Sequence, residues 1–217
     1  MIGEDLRRGE EVLKKMNRLK IPVVTVLGNV DYPCSDDVMD VVKPKGRNYW
    51  IWDWERNFVF RDLVTRYHNL KLIDYDFTQV QDMIFLGART HSFPGKVKSK
   101  NFRKHKEKLR RLFAKFRKEN KERRVVFVAH NVPYNTRLDK IGMKAHADVR
   151  GKHYGSKLVR RIIDRYQPLL ALGGHIHEGR GTQKLGKTLV VNPGSIHEGH
   201  YAIVEINSQG KVYVKLK

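Results

Sequence analysis

Apolar and polar positions follow two spacings along the chain. Short apolar runs such as 22–27 and 125–129 have the composition of buried strands, whereas 4–19 and 157–166 repeat apolar residues at helical spacing. Ser156 is placed to cap the second helix. A further helix is predicted at 58–67, and the predicted strands are 22–27, 71–75, 82–87, 125–129, 169–172, 188–192, 201–206 and 211–216. The last two strands alternate like a closing hairpin, and the whole pattern predicts an α/β fold.

Residues 96–124 differ from the rest because they hold 15 Lys and Arg residues against three Glu. Apolar side chains recur there at helical spacing, namely at Phe102, Leu109, Leu112, Phe113 and Phe116. This pattern predicts a basic helical insert with one docked face. Its charged face has two interpretations, a solvated surface or a contact surface for the phosphate backbone of nucleic acid.

The chain as a whole is strongly basic, with 217 residues, a formal net charge of +21 and a pI near 10.1. That charge favours anionic partners, nucleic acid first among them, although a Lys/Arg-rich surface is also typical of a heat-adapted or high-salt cytoplasm. The length suits a single domain over 1–217. Because we find neither a membrane-length apolar stretch nor a signal region, we expect a cytoplasmic protein without membrane contact.

Two smaller patterns are less informative. Trp50, Trp52 and Trp54 alternate, so an extended segment would place them on one side. They would either pack over the core or form an aromatic wall that stacks a base or sugar, and the pattern does not decide between these. The tetrapeptide Ile-His-Glu-Gly occurs at 176–179 and again at 196–199, and we interpret this repeat as coincidence.

Polar clusters follow three of the apolar runs. They begin at Asn29, at His130 and at His175, and the last cluster continues to His177. Ligands of open α/β sheets bind beyond the carboxyl ends of strands, so these side chains should lie along one rim. Imidazole nitrogens suit zinc, iron or manganese, and an amide oxygen adds a harder ligand. Two histidines separated by one residue could serve two neighbouring ions, as phosphoryl transfer requires.

The order of these clusters resembles a known family. Gly-Asn-x-Asp at 28–31, a strand followed by His130-Asn131, and Gly-His-x-His at 174–177 are similar to the last three of five motifs of the calcineurin-like metallophosphoesterases. Asn-Pro-Gly-Ser at 192–195 resembles their small phosphodiesterase branch, and His-Tyr-Gly-Ser at 153–156 resembles a largely archaeal subgroup. The resemblance implies a two-sheet β-sandwich flanked by helices, which hydrolyses a phosphate mono- or diester with metal-activated hydroxide.

The resemblance also assigns roles to individual residues. The implied ligands of two divalent ions are Asn29, His130, His175 and His177. The first three would hold one ion and the last would hold the other, with manganese, iron or zinc all suitable. Asp31 would orient a neighbouring ligand, and Asn131 would lie near the phosphate. Arg180 is a further catalytic candidate because a guanidinium group can hold two phosphate oxygens.

The sequence departs from the family pattern in two places. Val30 stands where many members have a histidine that protonates the leaving oxygen. The family's opening motifs, Asp-x-His and Gly-Asp, do not occur in the 217 residues, so we expect a chain that lacks its first β-α-β unit and starts within a longer protein. Two alternatives remain open, a degenerate scaffold without activity and a nucleic-acid-binding protein that uses the 96–124 segment.

Overall fold

The computed structural model describes residues 6–28, 64–88, 100–119, 124–143 and 145–217. The chain divides into two compact units, one within Met1–Thr78 and Phe93–Lys121 and the other within Gln79–Ser92 and Glu122–Lys217. Each unit has a cluster of buried apolar side chains of its own.

The described part of the first unit contains two helices and a short parallel pair of strands. Its elements are α1 (Leu6–Asn17), β1 (Val23–Thr25), β2 (Leu70–Leu72) and α2 (Lys100–Glu119), with β1 parallel to β2. Leu13 of α1 packs with Leu27 and Leu70, which are all at most 5% exposed. The Asn69 side chain donates hydrogen bonds to the carbonyls of Leu19 and Ile21, and this holds the turn after α1 against the start of β2.

A six-stranded sheet lies mostly within the second unit. Its strands are β3 (Asp76–Val80), β4 (Met83–Ala88), β5 (Arg124–Asn131), β6 (Leu170–Gly174), β7 (Gly181–Leu185) and β8 (Thr188–Asn192). They lie in the order β3-β4-β5-β6-β8-β7. The strands β4, β5, β6 and β8 are parallel, and β7 is antiparallel to β8. The carboxyl ends of β5, β6 and β8 therefore meet at one edge of the sheet.

An antiparallel hairpin packs against one face of this sheet. It consists of β9 (Ala202–Ile206) and β10 (Val212–Leu216). Alternate hairpin residues, including Val204 and Val214, pack against a sheet cluster centred on Val126, Leu170 and Val191. This is the two-residue period expected of strands that cover a core on one side and face solvent on the other.

The remaining helix, α3, covers Lys157–Tyr166 and begins at a capped turn. The Ser156 hydroxyl oxygen accepts a hydrogen bond of 3.2 Å from the Val159 amide, which satisfies one of the donors left open at a helix start. Val159, Ile162 and Ile163 form its buried stripe. The helix ends at Gln167, whose side chain accepts a hydrogen bond of 2.6 Å from the Lys187 amide in the β7–β8 turn.

The mixed α/β fold expected from the sequence is confirmed, with a sheet, a packed hairpin and three helices among the described residues. The helix at 157–166 and the strand at 188–192 have the predicted bounds, and the basic helix covers the shorter range Lys100–Glu119. The pattern missed β3 and β7.

Most of the predicted helix at 58–67, and the tryptophans at 50, 52 and 54, lie outside the described residues. The single domain over 1–217 stays a prediction. Among the described helices, none combines the length and the apolar character needed to cross a membrane.

Candidate metal centre

Polar side chains collect where β5, β6 and β8 end. His130 and Asn131 are the last two residues of β5, His175 follows β6 directly, and Asn192 is the last residue of β8. Because these three strands are parallel and adjacent, their carboxyl ends bring the four residues to one edge. This is the place where open α/β sheets bind ligands.

His130 and His175 lie side by side at this edge. Nε2 of His130 is 3.1 Å from Nδ1 of His175, and the two ring centroids are 4.9 Å apart with the planes at 63°. Two nitrogens that each bind one ion at about 2.1 Å lie roughly 3 Å apart when the angle between them is near 90°. The spacing of these two rings therefore suits a shared metal ion.

The electrostatics of the pair favour the neutral rings that metal binding needs. Burial lowers the pKa of His130 to about 4, and the charges of His175 and His177 contribute to this shift. Burial, and after it the charge of His177, also lowers the pKa of His175. Both rings are therefore neutral near pH 7, and each keeps a lone pair that can bind a cation.

The loop after β6 has an unusual backbone. His175 has a φ of 72°, a left-handed conformation that costs a non-glycine residue free energy of the order of 1 kcal/mol or more. The next residue, Ile176, is buried, and its carbonyl accepts a 2.7 Å hydrogen bond from the buried side chain of Asn192. His177 then begins a short 3₁₀ turn, His177–Gly179. The strained backbone of His175 and the hydrogen-bonded carbonyl of Ile176 together fix the course of the backbone from the end of β6 to His177.

Gly179 closes this turn against the loop after β5. A Cβ atom at this position would overlap the carbonyl group of Leu138. Only glycine lets the two backbones approach this closely. The loop after β5 and the loop after β6 are therefore packed directly on each other.

The other predicted site residues have different surroundings. Asn131 is fully buried, and neither polar atom of its amide has a hydrogen-bond partner within the described residues. The Arg180 guanidinium donates a 2.8 Å hydrogen bond to the Lys217 carbonyl, and its Cδ would lie 2.9 Å from a Cβ at Gly194. Asn29 and Asp31 lie outside the described residues, so their predicted roles stay predictions.

A buried carboxylate organises the loop between β5 and α3, and the sequence pattern gave no sign of it. Asp139 is 0% exposed. Its two oxygens accept hydrogen bonds from the amides of Asn135, Thr136 and Gly155, at 3.1, 2.7 and 2.9 Å. It also lies 2.7 Å from Nδ1 of His153. This constellation accounts for His153, a residue of the His-Tyr-Gly-Ser motif.

A second carboxylate lies beside the predicted ligand His177. Oε1 of Glu198 is 3.4 Å from Nδ1 of His177, and its Oε2 is 3.3 Å from Nδ1 of His200. Glu198 belongs to the second copy of Ile-His-Glu-Gly. Both copies form 3₁₀ turns, His177–Gly179 and Ile196–Glu198. The repeat that we interpreted as coincidence therefore brings a histidine of one copy next to the glutamate of the other.

Comparison with protein families identifies the family of this chain. A family model described as "Metallophosphoesterase, calcineurin superfamily" matches residues 67–215. The chain belongs to the calcineurin superfamily of metallophosphoesterases. The matched range contains His130, His175 and His177, and it contains the six-stranded sheet from β3 to β8 and most of the hairpin. The family resemblance expected from the sequence is confirmed.

A relative and two solved structures give further likenesses. A stretch of 71 residues is 38% identical to "Uncharacterized protein MJ1162" of Methanocaldococcus jannaschii, which covers 32% of this chain and 30% of that protein. One crystal structure aligns with a TM-score of 0.65 and 23% identity over 95% of this chain and 70% of the other. The crystal structure of TT1561 of Thermus thermophilus aligns with a TM-score of 0.58 and 18% identity, over 96% of this chain and 78% of the other. At these identities the solved structures support the metallophosphoesterase fold alone.

Metallophosphoesterases of this superfamily typically bind divalent metals, and the described residues fit such ions in part. The spacing and the neutral state of His130 and His175 fit two nitrogen ligands of one ion. Over the ranges that the structure describes, however, no group of three or more His, Cys, Asp or Glu side chains is arranged to hold an ion. The described residues thus offer His130 and His175 as two candidate nitrogen ligands of one ion.

Proposed function

We propose that this metallophosphoesterase hydrolyses a phosphate mono- or diester with the help of divalent ions. The observation that carries the proposal is the His130–His175 pair, with ring nitrogens 3.1 Å apart at the carboxyl edge of the sheet. Membership in a superfamily that consists mostly of hydrolases supports the same conclusion. Manganese, iron and zinc all accept imidazole ligands, so each is a candidate ion.

In this proposal the histidines bind the ions and hold them at the sheet edge. His130, His175 and the predicted ligand Asn29 would hold one ion, and His177 would hold the other. Bound ions would supply a hydroxide nucleophile at neutral pH and would neutralise charge on the phosphate. Asp31 orients a ligand. The anchored carbonyl of Ile176 keeps His175 and His177 in fixed directions, which spares the site the cost of ordering them on binding.

Two polar residues are proposed to meet the phosphate. The buried amide of Asn131 has no hydrogen-bond partner among the described residues, so its donor and acceptor groups can be offered to a ligand. The Arg180 guanidinium also holds the Lys217 carbonyl, so only its remaining N–H groups are proposed for phosphate. Glycine at 194 gives the arginine stem room to pass.

Metal-stimulated hydrolysis of p-nitrophenyl phosphate and bis-p-nitrophenyl phosphate tests the proposal. Turnover is expected with Mn²⁺ and its loss on chelation, and His175→Ala should lower kcat/KM by roughly 100-fold or more. His146→Ala is the matched control, because His146 is an exposed histidine that pairs with Asp148 at 3.2 Å. The same assay is run on the chain extended by any coding sequence in frame before Met1. Turnover that survives His175→Ala would contradict the metal centre, and no turnover in either version would favour the scaffold hypothesis.

A second candidate function is nucleic-acid binding by α2. One side of this helix is packed through three buried residues, Leu109, Leu112 and Phe113. A different side carries the exposed residues Arg103, Arg110 and Arg117. Their seven-residue spacing aligns these three arginines along one stripe of the helix. A stripe of guanidinium groups can neutralise successive phosphates of a nucleic-acid strand.

Two arginines near the middle of the helix are held by an acidic neighbour. Glu107 accepts hydrogen bonds from Arg110 and Arg111 at 2.8 and 3.0 Å, and these bonds lower the pKa of its carboxyl group to about 2. The pairing points both guanidinium groups along the helix surface.

Salt-dependent binding to single-stranded oligonucleotides tests this candidate. Replacing Arg103, Arg110 and Arg117 by Gln should weaken binding and reduce the slope of log K against log salt by about 2. The control replaces the exposed lysines Lys184, Lys187 and Lys215 of the second unit by Gln, which removes equal charge elsewhere. Equal losses in both triple variants would refute a specific role for α2, since only the net charge would then matter.

A further inference from the structure

Two short turns at the sheet edge are tied together by one buried side chain. The Asn192 amide group donates a hydrogen bond of 2.7 Å to the Ile176 carbonyl, and its oxygen accepts one of 3.1 Å from the Gly194 amide. The first bond holds the turn that begins at His177. The second holds the chain that leads into the turn Ile196–Glu198. The relative position of the two turns is therefore fixed by backbone hydrogen bonds to Asn192.

The second turn has a closed network of its own. The Ser195 carbonyl accepts 3.0 Å hydrogen bonds from the amides of Glu198 and His200, and the Ser195 hydroxyl accepts from the His197 amide at 3.3 Å. Gly199 ends the turn with a φ of 78°, a conformation that favours glycine. The backbone of Glu198 is thus held from both sides, so its half-exposed side chain starts from a fixed point and reaches one place in this structure.

That place is the ring of His177. One carboxylate oxygen of Glu198 lies 3.4 Å from Nδ1 of His177, and the other lies 3.3 Å from Nδ1 of His200. Nδ1 of His200 is buried and makes no aligned hydrogen bond within the described residues, although Glu198 lies at ion-pair distance from it. The ion-pair distance decides the interpretation, because a small rotation of the exposed Glu198 side chain is enough to align a hydrogen bond with His200. The carboxylate thus lies at ion-pair distance from two imidazole nitrogens, although neither contact is an aligned hydrogen bond in this structure.

An imidazole can bind a metal through one nitrogen only if the proton of the neutral ring is on the other. Histidine ligands commonly donate that second N–H to a carboxylate, which fixes the tautomer and the ring direction. Glu198 faces Nδ1 of His177, so a proton held there leaves the Nε2 lone pair open. His200 contacts the other oxygen of the same carboxylate and so limits its rotation.

We propose that Glu198 is a positioning residue that holds His177 in the Nδ1–H tautomer, with Nε2 open to a divalent ion, and that His200 steadies Glu198. This inference rests on the proposed function for the identity of the ion. The contact between Glu198 and His177 is a property of the chain itself, and it can be measured without any metal.

The first experiment records long-range ¹H–¹⁵N NMR spectra of the histidine rings in the metal-free protein at mildly alkaline pH. The wild-type chain should show His177 mainly as the Nδ1–H tautomer, and Glu198→Ala should move it toward the mixture of an exposed imidazole. Glu178→Ala is the matched control, because Glu178 is an exposed glutamate in the same turn as His177. An Nε2–H tautomer in the wild-type chain, or equal spectra in both variants, would overturn the proposal.

The second experiment measures Mn²⁺ or Co²⁺ affinity by calorimetry. Glu198→Ala should weaken binding by about 10- to 100-fold, and this effect should disappear in a His177→Ala background. An equal effect in both backgrounds, or none in the first, would overturn the positioning role while metal binding and the proposed function stand. If the wild-type chain binds no ion but keeps the Glu198-dependent tautomer, the positioning role stands and the proposed function fails.

Discussion

Replacing Asp139 by asparagine tests how strongly the loop between β5 and α3 depends on one buried carboxylate. The two side chains have nearly the same shape, so the change removes a charge and one acceptor without creating a cavity. Both carboxylate oxygens are in use. One accepts from the Thr136 amide at 2.7 Å and contacts Nδ1 of His153 at 2.7 Å, and the other accepts from the amides of Asn135 and Gly155 at 3.1 and 2.9 Å.

The magnitude follows from this count of donors. In either orientation, the new NH₂ group must face donors that have no other acceptor in the described contacts. A buried donor that loses its partner costs about 1–3 kcal/mol. The surviving hydrogen bonds also lose their charge-assisted strength. Because Gly155 is packed so tightly that a Cβ there would lie 2.7 Å from Asp139, little room remains for a compensating water. The expected loss of unfolding free energy is about 2–4 kcal/mol.

Urea denaturation followed by far-ultraviolet circular dichroism measures this loss. The control is Asp164→Asn, since Asp164 is exposed and pairs with Arg160 on the surface of α3, where the expected effect is at most about 0.5 kcal/mol. The Asp139→Asn midpoint should fall well below that of the control with a similar m-value. A loss equal to that of the control would refute the claim that this carboxylate organises the loop.

Three further predictions concern the candidate site. Gly179→Ala should destabilise the protein strongly, by several kcal/mol, because the new methyl group overlaps the Leu138 carbonyl. Gly142→Ala meets no atom closer than 3.8 Å and should be nearly neutral. Thermal denaturation compares the two variants, and equal shifts in melting temperature would contradict the packing described. In chelator, stability should fall as the pH drops from 6.5 toward 4, because the unfolded chain takes up a proton on His130 before the folded chain does. With a folded-state pKa of about 4, His130 contributes a loss of about 2 kcal/mol at a pH of about 5. This contribution should be absent in His130→Gln, which keeps only the loss due to His175. Asn192→Ala should destabilise by about 1–3 kcal/mol through the buried Ile176 carbonyl and should also weaken metal binding; an intact affinity would show that the anchored turn does not hold the ligands.

Sequence reasoning succeeded where a local signal has a direct physical meaning. The helix at 157–166 has an amphipathic stripe and a serine cap, and both are properties of neighbouring residues. The histidines at 130 and 175 follow apolar runs with the composition of buried parallel strands, so their meeting at one edge follows from topology.

The elements that the pattern missed depend on contacts distant along the chain. The strand β7 consists of Gly-Thr-Gln-Lys-Leu and has little strand character of its own, but it pairs with β8 through a tight turn at Gly186. The carboxylates of Asp139 and Glu198 have structural roles because folding places their hydrogen-bond and ion-pair partners next to them. A single polar residue in a loop gives no sign of such partners, although the repeated Ile-His-Glu-Gly was a usable sign for Glu198.

The most direct test of the central claim is whether His130 and His175 bind a divalent ion together. Co²⁺ titration, followed by visible absorption, reports imidazole ligation, and it can be compared in the wild-type chain, His130→Ala, His175→Ala and the exposed control His146→Ala. The account predicts a cobalt spectrum in the wild-type chain and the control, and a loss of about 10-fold or more in affinity in each of the other variants. A spectrum that persists unchanged without either histidine, or one that never appears in the wild-type chain, would contradict the metal centre.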